Sequence, residues 1–166
     1  IETEQIVNIA LDLIETKDIP YSKIIDIGTG TGCIIISLYQ ELKENKEEIE
    51  EKEKNREKDE EYTFLATDCS SKTLDIAKEN AKRNSIKNIS FVKRNLIDNK
   101  DLENNSLILA NLPYIPTNMY MKLDRSVKDF EPKKALDGGK DGLKYYKELL
   151  TIIQKTQKKN IDLIVE

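Results

Sequence analysis

The chain has 166 residues, a length that fits one domain with a single core. Hydrophobic residues make up 38% and charged residues 35%, with a formal net charge of -4, which disfavours a generally basic nucleic-acid binder and leaves only a local patch open. No apolar run approaches the roughly 18 residues of a membrane span, two cysteines cannot build a disulfide scaffold, and the absence of histidine removes every mechanism that needs an imidazole from this chain.

Residues 3–15 have helical periodicity, with Ile6, Ile9, Ala10, Leu13 and Ile14 on one face. Lys23–Ile27 is a short β-branched strand that runs at once into Gly28, Gly30 and Gly32. Cys33–Leu42 then reads as a buried helix, apolar on most sides through Ile34, Ile35, Ile36 and Leu38. From Lys43 to Glu61 there are ten acids and six bases in nineteen residues, with Ile49 the only apolar side chain. That insertion reads as a solvated helical extension or a disordered loop, because it cannot offset its own ordering by burial. A strand follows at Tyr62–Thr67, ending on Asp68, and then a helix capped by Ser70 or Ser71 with Leu74, Ala77 and Ala81 inward. Strands are expected at Ile89–Val92, Ser106–Ala110 and Ile161–Val165, and a helix near residues 142–157 after Gly138, Gly139 and Gly142. Alternating strands and helices imply an α/β fold: a mainly parallel sheet with helices on both faces.

In such a sheet a ligand binds beyond the carboxyl ends of the strands. Asp26-Ile27-Gly28-Thr29-Gly30-Thr31-Gly32 stands there, with the spacing D-x-G-x-G-x-G rather than the dinucleotide G-x-G-x-x-G, and no P-loop lysine follows. A plain strand-to-helix turn is the alternative. The pattern resembles the first motif of the class I S-adenosylmethionine-dependent methyltransferases. The resemblance implies a Rossmann-like fold and a cofactor, S-adenosyl-L-methionine, held by the loop residues Gly28, Thr29, Gly30 and Gly32 with Asp26 beside them. It also implies a ribose-binding acid at the end of the second strand. Asp68 lies 42 residues after Asp26; without the charged insertion 23 remain, close to the spacing of about 20 for such an acid. A strand-end cap is the other reading of Asp68. Asn95, after the third strand, either borders the adenine or caps a turn.

The fourth strand ends in Asn111-Leu112-Pro113-Tyr114. It resembles the N-P-P-Y signature of methyltransferases that modify a planar amide or an exocyclic amine. The nitrogen of such a group is a poor nucleophile, since its lone pair is delocalised. The resemblance implies that the Asn111 side-chain oxygen and the Leu112 carbonyl accept its two N–H groups, that Pro113 fixes the turn and that Tyr114 packs on the flat acceptor. No base is needed if the proton leaves after transfer.

Glu2-Thr3-Glu4, Phe130-Glu131-Pro132, Ala135-Leu136-Asp137-Gly138-Gly139 and Asp141-Gly142-Leu143 narrow the resemblance to the HemK-type protein-(glutamine-N5) methyltransferases. It implies a peptide-chain release factor as the protein substrate. Leu112 departs from the family's first Pro, and N-L-P-Y also occurs in ribosomal RNA adenine dimethyltransferases. Adenine N6-methylation of RNA or DNA is therefore the alternative, with Lys122, Arg125, Lys128, Lys133 and Lys134 as its local cations. Further expectations are a single catalytic domain over residues 1–166, cut from a longer protein, without the C-terminal hairpin of the sheet. A cytoplasmic monomer is expected (organellar if the source is eukaryotic), with no metal site and no membrane or direct nucleic-acid partner.

Overall fold

A computed structural model describes residues 2–52, 62–128 and 131–166, and the side chains of 2–3 and 46–52 lie outside the description. Five strands, β1 (Lys23–Ile27), β2 (Thr63–Asp68), β3 (Ile89–Lys93), β4 (Ser106–Ala110) and β5 (Ile161–Val165), form one sheet in the order β3-β2-β1-β4-β5. Every neighbouring pair is parallel. The central strand carries apolar residues on both faces because both faces are covered, as a parallel sheet requires. Ile24 packs into one core, and Ile25 and Ile27 into the other.

Register decides where the site lies. Ile27 of β1 is level with Thr67 of β2 and with Ala110 of β4. Gly28, Asp68 and Asn111 therefore leave the sheet side by side, at the point where the strand order reverses across β1.

One face is covered by α1 (Glu2–Thr16), α2 (Cys33–Lys52) and α3 (Ser71–Arg83). Helix α1 buries Ile6, Val7 and Ala10, with Leu11, Leu13 and Ile14 partly buried against the core. Ile9, expected inward, is 48% exposed. The inner face centres on Ala10, and Ile9 stands about 100° to the side of it, whereas Val7 falls within it. Helix α2 buries Ile34, Ile35, Ile36 and Leu38 as expected. It continues ten residues past Leu42, so Lys43–Lys52 is a helical extension. Glu53–Glu61 and Phe130 lie outside the described residues. In α3, the Ser70 side chain accepts the Thr73 N–H and Leu74, Ala77 and Ala81 are buried.

The other face is covered chiefly by α7 (Lys144–Lys155), whose fully buried Leu149 shares one apolar cluster with Ile25, Ile27, Leu65 and Ile108. Burying a Leu of this kind contributes about 1.5–3 kcal/mol. Between β3 and β4 the chain makes only a single 3-10 turn, Asn99–Asp101. Three helical turns that the sequence did not announce, α4 (Thr117–Tyr120), α5 (Arg125–Lys128) and α6 (Lys133–Leu136), follow β4. Each has four residues and no buried residue, so no apolar period marks it. Among the described residues no helix is long and apolar enough to cross a membrane, and no group of three or more metal-binding side chains occurs.

Candidate functional site

The loop after β1 is hung on β2, with the Thr67 carbonyl accepting both the Gly28 and the Thr29 N–H at 2.9 Å. The three loop glycines do different things. Gly30 has φ +57°, a left-handed conformation that L side chains avoid, and a Cβ there would meet only open space, its nearest neighbour being the Gly28 carbonyl at 4.0 Å. Gly32 is a packing residue: a Cβ would stand 2.9 Å from Ile36 Cδ1 and 3.3 Å from Ala77 Cβ of α3. Gly28 lies against the next strand end, where a Cβ would come within 3.1 Å of Leu112 Cδ2.

Asp26 has no exposed surface. Its Oδ2 accepts the Thr29 hydroxyl at 2.6 Å, and its Oδ1 has no hydrogen-bond partner. Burial pushes its pKa up to about 6. The Thr29 hydroxyl and the Ile35 N–H pull it down, the latter without closing a hydrogen bond, and the Asp68 charge adds to the rise. Thr29 is buried as well. Both side chains, expected at a cofactor, thus form the floor of the loop and reach a ligand only by shaping Gly28–Gly32.

Asp68, at the end of β2, bonds backbone N–H groups on both sides with its two carboxylate oxygens. Oδ1 accepts the Ser70 N–H at 2.7 Å, capping the turn into α3. Oδ2 accepts the Gly30 N–H at 3.1 Å, at the one loop glycine that faces open space. Asn95 is exposed and sits in a different setting. It lines a cleft of about 480 Å³ with Arg94, Leu96, Ile97, Asp98 and the α7 residues Glu148, Thr151 and Ile152. No residue of the glycine loop lines that cleft. The Arg94 guanidinium beside it is paired with Asp98 and Asp101.

At the end of β4, Asn111 Nδ2 donates to Glu166 Oε2 at 2.7 Å. Its Oδ1 accepts no hydrogen bond from the described residues. The Leu112 side chain is buried against the Gly28 turn. Its backbone is clamped by Tyr146 of α7: the tyrosine oxygen accepts the Leu112 N–H at 3.2 Å and lies 3.0 Å from the Leu112 carbonyl and 2.7 Å from the Glu166 main-chain oxygen. One hydroxyl proton serves two carbonyls, so at least one lone pair of the Leu112 oxygen stays open. Burial, with Glu166 and Tyr114 nearby, raises the Tyr146 pKa and keeps the phenol protonated. Pro113 is half-buried, and Tyr114 is 51% exposed. Tyr114 borders a pocket of about 380 Å³ with Ile115, Pro116, Met119, Lys122 and Leu123.

The stretch Ala135–Leu143, which in the sequence offers chain-breaking glycines and a family resemblance, holds this loop in place. Ile115 and Asp137 form a parallel bridge, closed by Ile115 N–H to the Leu136 carbonyl and Gly138 N–H to the Ile115 carbonyl, both 2.9 Å. The Thr117 hydroxyl donates to Asp137 Oδ1 at 2.7 Å, the main reason that the Asp137 pKa lies below its ordinary value. Gly142, at φ +78°, lets the backbones touch: a Cβ would stand 2.2 Å from the Tyr114 carbonyl oxygen.

Tyr146 and Glu166 were missed from the sequence. The available signal was an acid directly after the fifth strand, level with the residue directly after the fourth, since Ala110 pairs with Val165.

The profile of a methyltransferase domain matches residues 20–165. Curated relatives include a release factor glutamine methyltransferase of Francisella tularensis, 36% identical over 86% of this chain and 43% of that protein. Another, of Dictyoglomus turgidum, is 33% identical over 99% of this chain and 52% of that protein. The chain spans about half the length of the curated relatives it matches. Among solved structures, the catalytic domain of hMettl16 in complex with a MAT2A 3'UTR hairpin aligns with a TM-score of 0.61 at 19% identity, covering 95% of this chain and 53% of that one. At that identity the likeness concerns the fold.

Proposed function

The chain belongs to the family of methyltransferase domains, and on that premise we propose that it methylates the side-chain amide nitrogen of a glutamine in a peptide-chain release factor. S-adenosyl-L-methionine is the cofactor, and when bound it supplies an electrophilic methyl group on a sulfonium. The residues present fit it. Gly30 leaves open the space that a side chain would fill, and the Asp68 carboxylate beside it is a hydrogen-bond acceptor of the kind a ribose diol needs. Gly28 and Gly30 would border the cofactor with their backbones. Asp26 and Thr29 would keep that backbone in shape from beneath, and Gly32 would keep α3 close.

The observation that carries the reading is how near this loop lies to the acceptor motif. Ile27 and Ala110 are level, and a Cβ on Gly28 would come within 3.1 Å of Leu112 Cδ2, so the first residues of the N-L-P-Y motif lie next to the loop that would hold the methyl donor. Asn111 Oδ1 and the Leu112 carbonyl oxygen would each accept one N–H of the substrate amide, holding its nitrogen towards the methyl group and favouring pyramidal geometry as the new bond forms. The Tyr114 ring, 51% exposed, would supply a flat wall for the planar amide. Since the proton departs after methyl transfer, no base is required, and the chain has no histidine to act as one. The names of the relatives support a release factor as the substrate.

The adenine alternative has less support. Lys128 donates to the Met121 carbonyl, Lys133 pairs with Asp137, and both lie over the Tyr120 ring, so two of the five candidate cations are engaged with their own segment. Incubation with methyl-labelled cofactor and either a release factor or ribosomal RNA separates the readings. Label in the release factor is the expected result. Label confined to RNA would overturn the proposal.

A further inference from the structure

We infer that Glu166 is a positioning residue for methyl transfer, its carboxylate fixing which end of the Asn111 amide faces the substrate. The inference rests on the proposed role of Asn111 as an acceptor. The two ends of an asparagine amide are nearly equal in size and opposite in hydrogen bonding: one accepts and the other donates twice. Only the oxygen can receive a substrate N–H. In the flipped orientation an N–H of Asn111 would oppose an N–H of the substrate, and both donors would be left unpaired.

Glu166 decides between the two. A carboxylate only accepts, so it holds Nδ2, at 2.7 Å, and leaves Oδ1 as the outward end. The arrangement is built by the sheet. Ala110 and Val165 are level in the parallel ladder, and the Glu166 N–H continues that ladder to the Ala110 carbonyl at 3.3 Å. Asn111 and Glu166 are therefore the first residues beyond two adjacent strands. Tyr146 then ties the pair of strand ends together, since its hydroxyl bonds the Leu112 N–H and the Glu166 main-chain oxygen. The same clamp fixes Leu112, whose carbonyl is the second proposed acceptor. Both acceptors thus derive their orientation from β5 and α7, neither of which belongs to the N-L-P-Y motif.

A double-mutant cycle tests this, read by turnover, by calorimetric affinity for the cofactor product, by thermal midpoint and by the NMR signals of the Asn111 side-chain amide. Glu166→Leu removes the acceptor. Turnover should fall about tenfold or more, the effect of losing one oriented hydrogen bond at the reacting group. Cofactor-product affinity should stay within about twofold, and the thermal midpoint should fall by no more than one lost hydrogen bond accounts for. The Asn111 amide protons should lose their protection from solvent exchange. Asn111→Ala should be similarly impaired, and adding Glu166→Leu to it should cost nothing more, because Glu166 acts only through Asn111. If Glu166→Leu does not fold, Glu166→Gln keeps the shape but can face either end of the amide, and should show the same pattern at smaller size.

Full turnover in Glu166→Leu, or losses that add in the double variant, would overturn the inference while leaving the proposed function in place. Full turnover in Asn111→Ala would overturn both.

Discussion

Replacing Asp26 with Asn removes a titratable group from the floor of the glycine loop and keeps its shape. In the folded chain this carboxyl titrates near 6 rather than 3.8, because it is fully buried with one oxygen unpartnered. A folded-state pKa raised above the unfolded one means that the folded state binds the proton more tightly. The associated stability is fully present below 3.8 and is lost as pH rises through about 6. At about 1.4 kcal/mol per pKa unit, the loss at neutral pH is on the order of 3 kcal/mol. Asp26→Asn has no such loss. Its amide oxygen can still accept the Thr29 hydroxyl, but its NH2 takes the unpartnered position, a constant cost of about 1–3 kcal/mol. The stability of the variant relative to the parent should therefore climb by roughly 3 kcal/mol between about pH 4 and pH 7, whatever its offset. The chain has no tryptophan, so urea unfolding followed by far-ultraviolet circular dichroism at fixed ionic strength is the suitable assay. A difference that stays flat across this range, or falls, would refute the assignment of Asp26 as a buried acid held against its charge.

Two further substitutions separate cofactor from acceptor. Asp68→Ala should weaken cofactor binding by roughly one to two orders of magnitude, measured by calorimetry. It should also lower the thermal midpoint, since the Gly30 and Ser70 N–H groups lose their partner; a loss of affinity under about twofold would confine Asp68 to capping. Gly142→Ala should displace the Tyr114 carbonyl and the turn it belongs to, with turnover falling by about two orders of magnitude and cofactor affinity retained. Equal losses of both would mean that the Ala135–Leu143 stretch supports the whole sheet rather than the acceptor loop.

Much of this organisation was legible in the sequence, for identifiable reasons. All five strands were, because each is a short β-branched or apolar run closed by glycine or a polar residue, and three of the five match residue for residue. The glycine loop was legible because its residues are contiguous. Depth was not: D-x-G-x-G-x-G reads the same whether Asp26 and Thr29 face a ligand or, as here, face each other inside the protein. The sequence does not mark the edge of the inner face of α1, because Val7 and Ile9 are both apolar and β-branched, and only the packing distinguishes them. Helices of four residues leave no periodic trace, so α4, α5 and α6 were invisible. Tyr146 and Glu166 stayed hidden for another reason. Glu166 meets Asn111 across 55 residues of chain, and the meeting depends on the register of β4 with β5, which no local pattern states.

The most direct test of the proposed chemistry is peptide mass spectrometry of a release factor after incubation with the protein and S-adenosyl-L-methionine. One methyl group on the side-chain nitrogen of a single glutamine is expected. It should be absent when that glutamine is replaced by glutamate, which has no amide nitrogen. A methyl group still found at the replaced position would contradict the amide mechanism.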